Sequence, residues 1–169
     1  MVALDGSFTV ISRGSLILLV HHAYPDKKGV KHWSFPGGGR ESGESFRTAA
    51  LRECTEETGC TPRIITKIAE YQSRKYEGQT TFLYHGFLET ESQLNPENKN
   101  EIDDVQFVSK NEAQKLLILP AQCIFLATFQ SYLDCLSKQN GEWNPYLEYM
   151  SKPLTHKEIE HYLQSPVVV

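Results

Sequence analysis

The sequence predicts one layered domain that mixes helix and strand, of the α/β or α+β class. Its 169 residues fit a single domain, since domains typically hold about 100–200 residues. With 40% apolar and 22% charged residues the composition is that of an ordinary globular chain with one sizeable core. Short β-branched runs and stretches of helical spacing also occur in the same chain, which layered folds of both elements require.

Phe8 to Ser12 and Leu16 to His21 are rich in aliphatic and β-branched residues, with Arg13-Gly14 as a turn between them, so two strands are predicted. Pro25, Lys27, Lys28, Gly29 and Lys31 make the next stretch polar and basic, which reads as a loop. Trp33-Ser34-Phe35 predicts a short strand that stops at a turn, Pro36-Gly37-Gly38-Gly39. From Ser45 to Thr58 there is no Pro or Gly and helix formers dominate, while Gly59 stands where a left-handed cap ends a helix. Arg63 to Glu70 and Gln79 to Phe87 predict a strand pair with a turn near Glu77-Gly78.

Glu89 to Asp104 is acidic, contains Pro96 and lacks periodicity, so a long surface loop is expected, the kind that often carries function. Val105 to Val108 predicts another strand, and Ser109-x-x-Glu112 is a capping box opening a short helix toward Leu117. After Pro120, residues Phe125, Phe129, Tyr132, Leu133 and Leu136 recur at helical spacing, a core-facing stripe on a packed helix. Residues 140–154 read as irregular, and Thr155-x-x-Glu158 predicts a terminal helix ending near Leu163. Residues 138–169 are thus an extension of a single domain spanning 1–169.

The net charge of −4 argues against a general nucleic-acid binder, which would present a basic surface. It leaves room for a phosphorylated small molecule, because a bound metal reverses the local field. Cys54, Cys60, Cys123 and Cys135 form no C-x-x-C pair and read as small buried apolar residues in a reducing compartment. The first residues lack the basic and apolar regions of a signal peptide, and the longest early apolar run, Leu16 to Val20, is far too short to span a membrane. A cytoplasmic protein without a membrane partner is expected.

The chemistry concentrates in Gly38 to Cys60. Glu53, Glu56 and Glu57 fall at i, i+3 and i+4, on one side of a helix, where like charges repel. A hard divalent cation with oxygen ligands reverses that cost. Gly37, Gly38 and Gly39 let the backbone adopt unusual dihedrals and let a ligand approach closely, and as a turn just before a helix they would offer N–H groups to an anion. Arg52 lies where it can pair with Glu56 one turn on or with Glu44 before the helix, orienting ligand side chains.

Gly38, five residues, Glu44, seven residues, then Arg52-Glu53-Cys54-x-Glu56-Glu57-x-Gly59-Cys60 resembles a complete Nudix box, with all seven fixed positions filled. Cysteine replaces the usual aliphatic residue at Cys54 and Cys60, a change that packing should tolerate. The resemblance implies a Nudix fold, a mixed β-sheet sandwiched between α-helices, and hydrolysis of a diphosphate linkage in a nucleoside diphosphate derivative. It implies magnesium, with manganese as a substitute, held by Glu53, Glu56 and Glu57 together with a backbone carbonyl of Gly37 or Gly38. Arg52 and Glu44 would orient these ligands, and Gly59 would close the helix.

The proton acceptor differs across the family. Glu53 or Glu56 is one choice. Glu101, six residues before Phe107 in the acidic loop, is the distant candidate, with Asp103 and Asp104 as competitors. Lys27, Lys28, Lys31, Arg40, Arg74 and Lys75 flank the region as candidate polyphosphate contacts, although surface cations are usually just solvated. His21, His22, Tyr71 and Tyr76 read as packing or exposed residues before any catalytic or stacking role. No motif outside the box fixes the substrate, and Tyr76 stands where ADP-ribose enzymes often have proline. The expectation leans slightly to nucleoside triphosphates, oxidised ones included, giving the monophosphate and diphosphate. An ADP-ribose-like nucleotide sugar is the alternative, and a non-catalytic nucleotide sensor a remote third. Either a monomer or a homodimer is compatible.

Overall fold

In sequence order, the elements are β1 (Gly6–Arg13), β2 (Leu16–His22), β3 (Trp33–Ser34), β4 (Gly37–Gly39), α1 (Phe46–Thr58), β5 (Arg63–Gln72), β6 (Thr80–Phe87), β7 (Ile102–Ser109), α2 (Lys110–Leu116) and α3 (Pro120–Ser137). They come from a computed structural model that describes residues 5–25, 29–72, 78–88, 93–97 and 99–137. The predicted irregular stretch 140–154 and the terminal helix lie outside those residues.

The seven strands form one mixed sheet. β1 occupies its centre: it pairs antiparallel with β2 at Ser12 and Arg13, antiparallel with β4 at Gly6 to Phe8, and parallel with β6 from Gly6 to Ser12. β5 extends the sheet beyond β6, while β7 and β3 both pair antiparallel with β2.

Alternation along the strands divides the core between two faces. Val10, Ile17, Leu19, Leu83 and Val108 pack with Phe125, Leu126, Phe129 and Tyr132 of α3 and with Ala113 of α2. Ile11 and Leu18, one residue out of phase, pack with Cys54 of α1. Ala50 of α1 meets Ile64 and Tyr84 in a neighbouring cluster. The sheet is therefore sandwiched between α1 on one side and α2 with α3 on the other. Cys54, Cys60 and Cys123 are free and buried, as expected, and Cys135 is half-buried. No described helix is long and apolar enough to cross a membrane.

Three expectations need correction. The glycines 37–39 are not a turn but strand β4, because the Gly6–Phe8 end of β1 supplies them with a pairing partner. The acidic loop ends earlier than predicted, since β7 begins at Ile102 and not at Val105; pairing with β2 overrides the polar composition of Asp103 and Asp104. Leu136 is 51% exposed, because it lies past the last turn of α3 that reaches the sheet, although the rest of the stripe packs as predicted.

His85 is buried in this fold and His22 is half-buried. His85 shares a hydrogen bond between Nε2 and Ser12 Oγ (2.8 Å) and meets the edges of Phe129 and Tyr132, and burial lowers its pKa to about 4. His22 is also lowered to about 4, by burial first and then by His32 and His21. Both folded values lie below the unfolded value near 6.5, so the unfolded chain takes up protons first on acidification. Their contribution is complete above about pH 6.5 and is lost as the pH falls toward 4. Urea midpoints at pH 7 and pH 5 should show the loss, and His85→Asn should flatten it.

Candidate active site

α1 starts where Ser45 caps it, its side chain accepting from the Thr48 amide, and stops at Gly59, whose φ of 74° lies in the left-handed region. These limits fix the rotation of the helix and put Glu53 and Glu57 against β4. The Gly37 amide donates to Glu57 Oε2 at 2.8 Å. A Cβ on Gly38 would stand 2.6 Å from Glu53 Oε1, and one on Gly37 would stand 2.3 Å from Ser7 O. The glycines therefore let α1 side chains and β1 come close to β4. They do so beside the flank of α1, since the helix begins only at Phe46.

Arg52 knits the carboxylates together. Its Nε and Nη2 donate to the two oxygens of Glu44 (3.1 and 3.2 Å), and Nη2 also reaches Gly39 O at 2.9 Å. Nη1 donates to Glu53 Oε1 at 3.0 Å and to Glu56 Oε2 at 3.1 Å. Both pairings read from sequence spacing, with Glu44 and with Glu56, are present. The hydrogen bond from Arg52 holds Glu44 below the usual carboxylate range, and Glu44 in return raises Arg52 and keeps it protonated.

Glu57 behaves in the opposite way. Burial pushes it up to about 8 against the help of the Gly37 N–H, and the charges of Glu53, Glu101 and Glu56 add to the rise. Burial raises Glu53 as well, with Arg52 opposing. Oxygen donors alone, too many for the one guanidinium among them, fit a hard divalent cation. Among the described residues no three acidic or histidine side chains are already drawn together at ligand spacing. Arg52 Nη1 instead bridges Glu53 and Glu56.

Glu101 is exposed, its carbonyl accepts from the Ala23 amide (2.8 Å), and its charge is felt by Glu57. The competing acids are engaged elsewhere. Asp103 receives hydrogen bonds from His21 and Lys31, and Asp104 from its neighbours Val105 N and Gln106 Nε2. Arg40 is tied to Asp5 and Glu44 O and lies over Phe46, while Tyr71 is half-buried with its hydroxyl on Thr128. Lys27, Lys28, Arg74, Lys75 and Tyr76 lie outside the described residues.

Two supports escaped the sequence reading. Gln122 Oε1 accepts the Phe35 amide at 2.9 Å in the buried interior, fixing the chain just ahead of Gly37. The segment Leu94 to Glu97 straps the end of α1, with Asn95 N on Thr58 O and Glu97 N on Glu56 O, both 2.9 Å. No local pattern announces either contact, because each joins distant parts of the chain.

Arg52→Lys tests the knitting. One ammonium cannot match a planar fork bound to Glu44, Glu53, Glu56 and Gly39 together. Turnover should fall about 10–100-fold, the usual cost of losing a group that orients metal ligands, with a much smaller change in thermal midpoint.

The NUDIX domain family model matches residues 5–128. A putative 8-oxo-dGTP diphosphatase of Bacillus subtilis (strain 168) is 37% identical over 76 residues, 44% of this chain and 48% of that protein. An ADP-ribose pyrophosphatase of the same organism is 32% identical over 103 residues, 61% of this chain and 53% of that one. The matched stretch thus spans about half the length of each of these relatives. A NUDIX hydrolase structure from Nitrosomonas europaea superposes with a TM-score of 0.65 at 18% identity, covering 79% of this chain and 72% of that one.

Proposed function

The chain belongs to the NUDIX domain family, and from that premise we propose that it hydrolyses a diphosphate linkage in a nucleoside diphosphate derivative, using magnesium or manganese. One observation carries the reading. Glu57 is anchored by the Gly37 amide beside Glu53 and Glu56, in a cluster that holds more negative charge than Arg52 balances. Glu53, Glu56 and Glu57 would hold the metal, with a carbonyl of Gly37 or Gly38. When bound, the ion supplies Lewis acidity that neutralises phosphate oxygens and acidifies water.

The residues themselves do the positioning. Arg52 and Glu44 fix the rotamers of Glu53 and Glu56, and Gly38 leaves room for the Glu53 carboxylate against β4. Glu101 is the group assigned to take the proton of the attacking water, since Asp103 and Asp104 are occupied. The preferred substrate is a nucleoside triphosphate, oxidised ones included, a lean supported by similarity to the 8-oxo-dGTP diphosphatase. The longer match to an ADP-ribose pyrophosphatase supports a second reading, a nucleotide sugar. Buried free cysteines support a reducing compartment, the cytoplasm.

Phosphate release across dNTPs, oxidised dNTPs, ADP-ribose, NADH and dinucleoside polyphosphates, with and without magnesium and beside Glu53→Gln, tests this. Turnover of one class that needs the metal and collapses in the variant is expected. Activity without metal, or untouched by Glu53→Gln, overturns it.

A further inference from the structure

The register of β2 against β7 slips between His21 and His22. His21 faces Asp104, His22 faces Ile102, and Asp103 is left as the extra residue of a bulge. Bulges bend a strand and re-aim the side chains beside them. Here Ile102 turns inward to 2% exposure, and Glu101 comes directly before it with its carbonyl on the Ala23 amide.

The extra residue is not loose. Asp103 Oδ1 lies 2.5 Å from His21 Nδ1, and Oδ2 accepts from Lys31 Nζ at 2.7 Å. These hydrogen bonds, Lys31 first, hold the carboxyl below its usual range. The His21 ring leans on Trp33 of β3, with centroids 4.9 Å apart. A single carboxylate therefore ties β7 to β2 and to the segment entering β3. On the other side of Glu101, the strap from Asn95 to Glu97 is fixed to the carbonyls of Thr58 and Glu56.

We propose that Asp103 is a positioning residue: clamped by His21 and Lys31, it fixes the bulge and so sets where Glu101 stands relative to Glu57. The inference rests on the reading of Glu101 as proton acceptor. It accounts for an ion pair on a partly exposed strand end, where such pairs add little to stability. The clamp's effect should be felt in geometry at the site and hardly in the fold.

Asp103→Ala, Asp103→Asn, Glu101→Gln and the double variant Asp103→Ala/Glu101→Gln separate the possibilities, assayed on dGTP and on ADP-ribose with magnesium. Mn²⁺ affinity and amide exchange at Ala23 are measured alongside. For Asp103→Ala the expectation is a fall in kcat of about 10–100-fold. KM, Mn²⁺ affinity and thermal midpoint should barely move, and the Ala23 amide should exchange faster. Asp103→Asn, which still accepts hydrogen bonds, should recover much of the loss. The double variant should be no slower than Glu101→Gln alone, because Asp103 acts only through Glu101.

A parental kcat or unchanged Ala23 exchange in Asp103→Ala, while Glu101→Gln is impaired, overturns the clamp alone. So does an equal further loss on top of Glu101→Gln. Normal turnover by Glu101→Gln overturns the proton-acceptor reading, and the clamp's catalytic role with it.

Discussion

Glu57→Gln is expected to make the metal-free protein more stable while cutting turnover by roughly 10²–10³-fold, the scale of losing a principal group that stabilises transition-state charge. The two effects share one cause. Glu57 has a folded pKa of about 8, raised first by burial, against an unfolded value near 4.5. Between those values the folded state holds the proton more tightly, so stability falls as the pH rises through the window. Above pH 8 the charged carboxylate costs the fold the most. Glutamine keeps an oxygen for the Gly37 amide and removes that charge, which should add about 1–3 kcal/mol at pH 8 and little below pH 4.5. Thermal midpoints at pH 5 and pH 8 check the sign. Magnesium should raise the midpoint of the parent chain more at pH 8 than at pH 6, where it competes with a proton, and should leave the variant nearly unmoved. A variant that is less stable at pH 8 without metal would show that Glu57 is not a strained ligand.

Gly59→Ala should damage the fold at the end of the box helix by more than its left-handed backbone alone explains. The residue sits at φ 74°, and an added Cβ would stand 2.1 Å from the backbone oxygen of Asn95. The backbone conformation alone costs about 1–2 kcal/mol for a residue with a side chain. The collision adds to it, because a strap hydrogen-bonded to Thr58 and Glu56 cannot simply swing away. A total loss of about 2–4 kcal/mol, or roughly 5–15 °C in thermal midpoint, is expected. Gly14→Ala is the control: its φ of 58° carries the same kind of conformational cost, but nothing lies within 4 Å of the added carbon. Equal losses in the two variants would mean that the strap gives way and that contact with Asn95 is unimportant.

Much of this was legible in the sequence because the signals are local. Ser45 and Gly59 bound the helix by their own hydrogen-bonding and dihedral preferences, and the i, i+3, i+4 spacing of Glu53, Glu56 and Glu57 places them on one side of it. Arg52 reaches Glu56 by the same periodicity. What was not legible depends on partners far along the chain. Gly37 to Gly39 have no strand propensity and become a strand only because β1 lies beside them. The amide of Gly37, expected beside a carbonyl ligand, acts as the donor that anchors Glu57. Asp103 looked like a rival to Glu101 until pairing with β2 showed it bonded to His21 and Lys31.

The central place of β1 has a consequence for how the chain comes to be folded. Gly6 to Ser12 must find Thr81 to Phe87 in parallel register, so the first strand made waits for one made much later. At about 5–20 residues per second, synthesis leaves one edge of β1 unpaired for several seconds. Contacts that distant in sequence also put folding among the slower topologies, in the millisecond-to-second range. The strand that lines up β4 beside α1 is thus completed late, and the nascent chain carries an open hydrogen-bonding edge until β6 arrives.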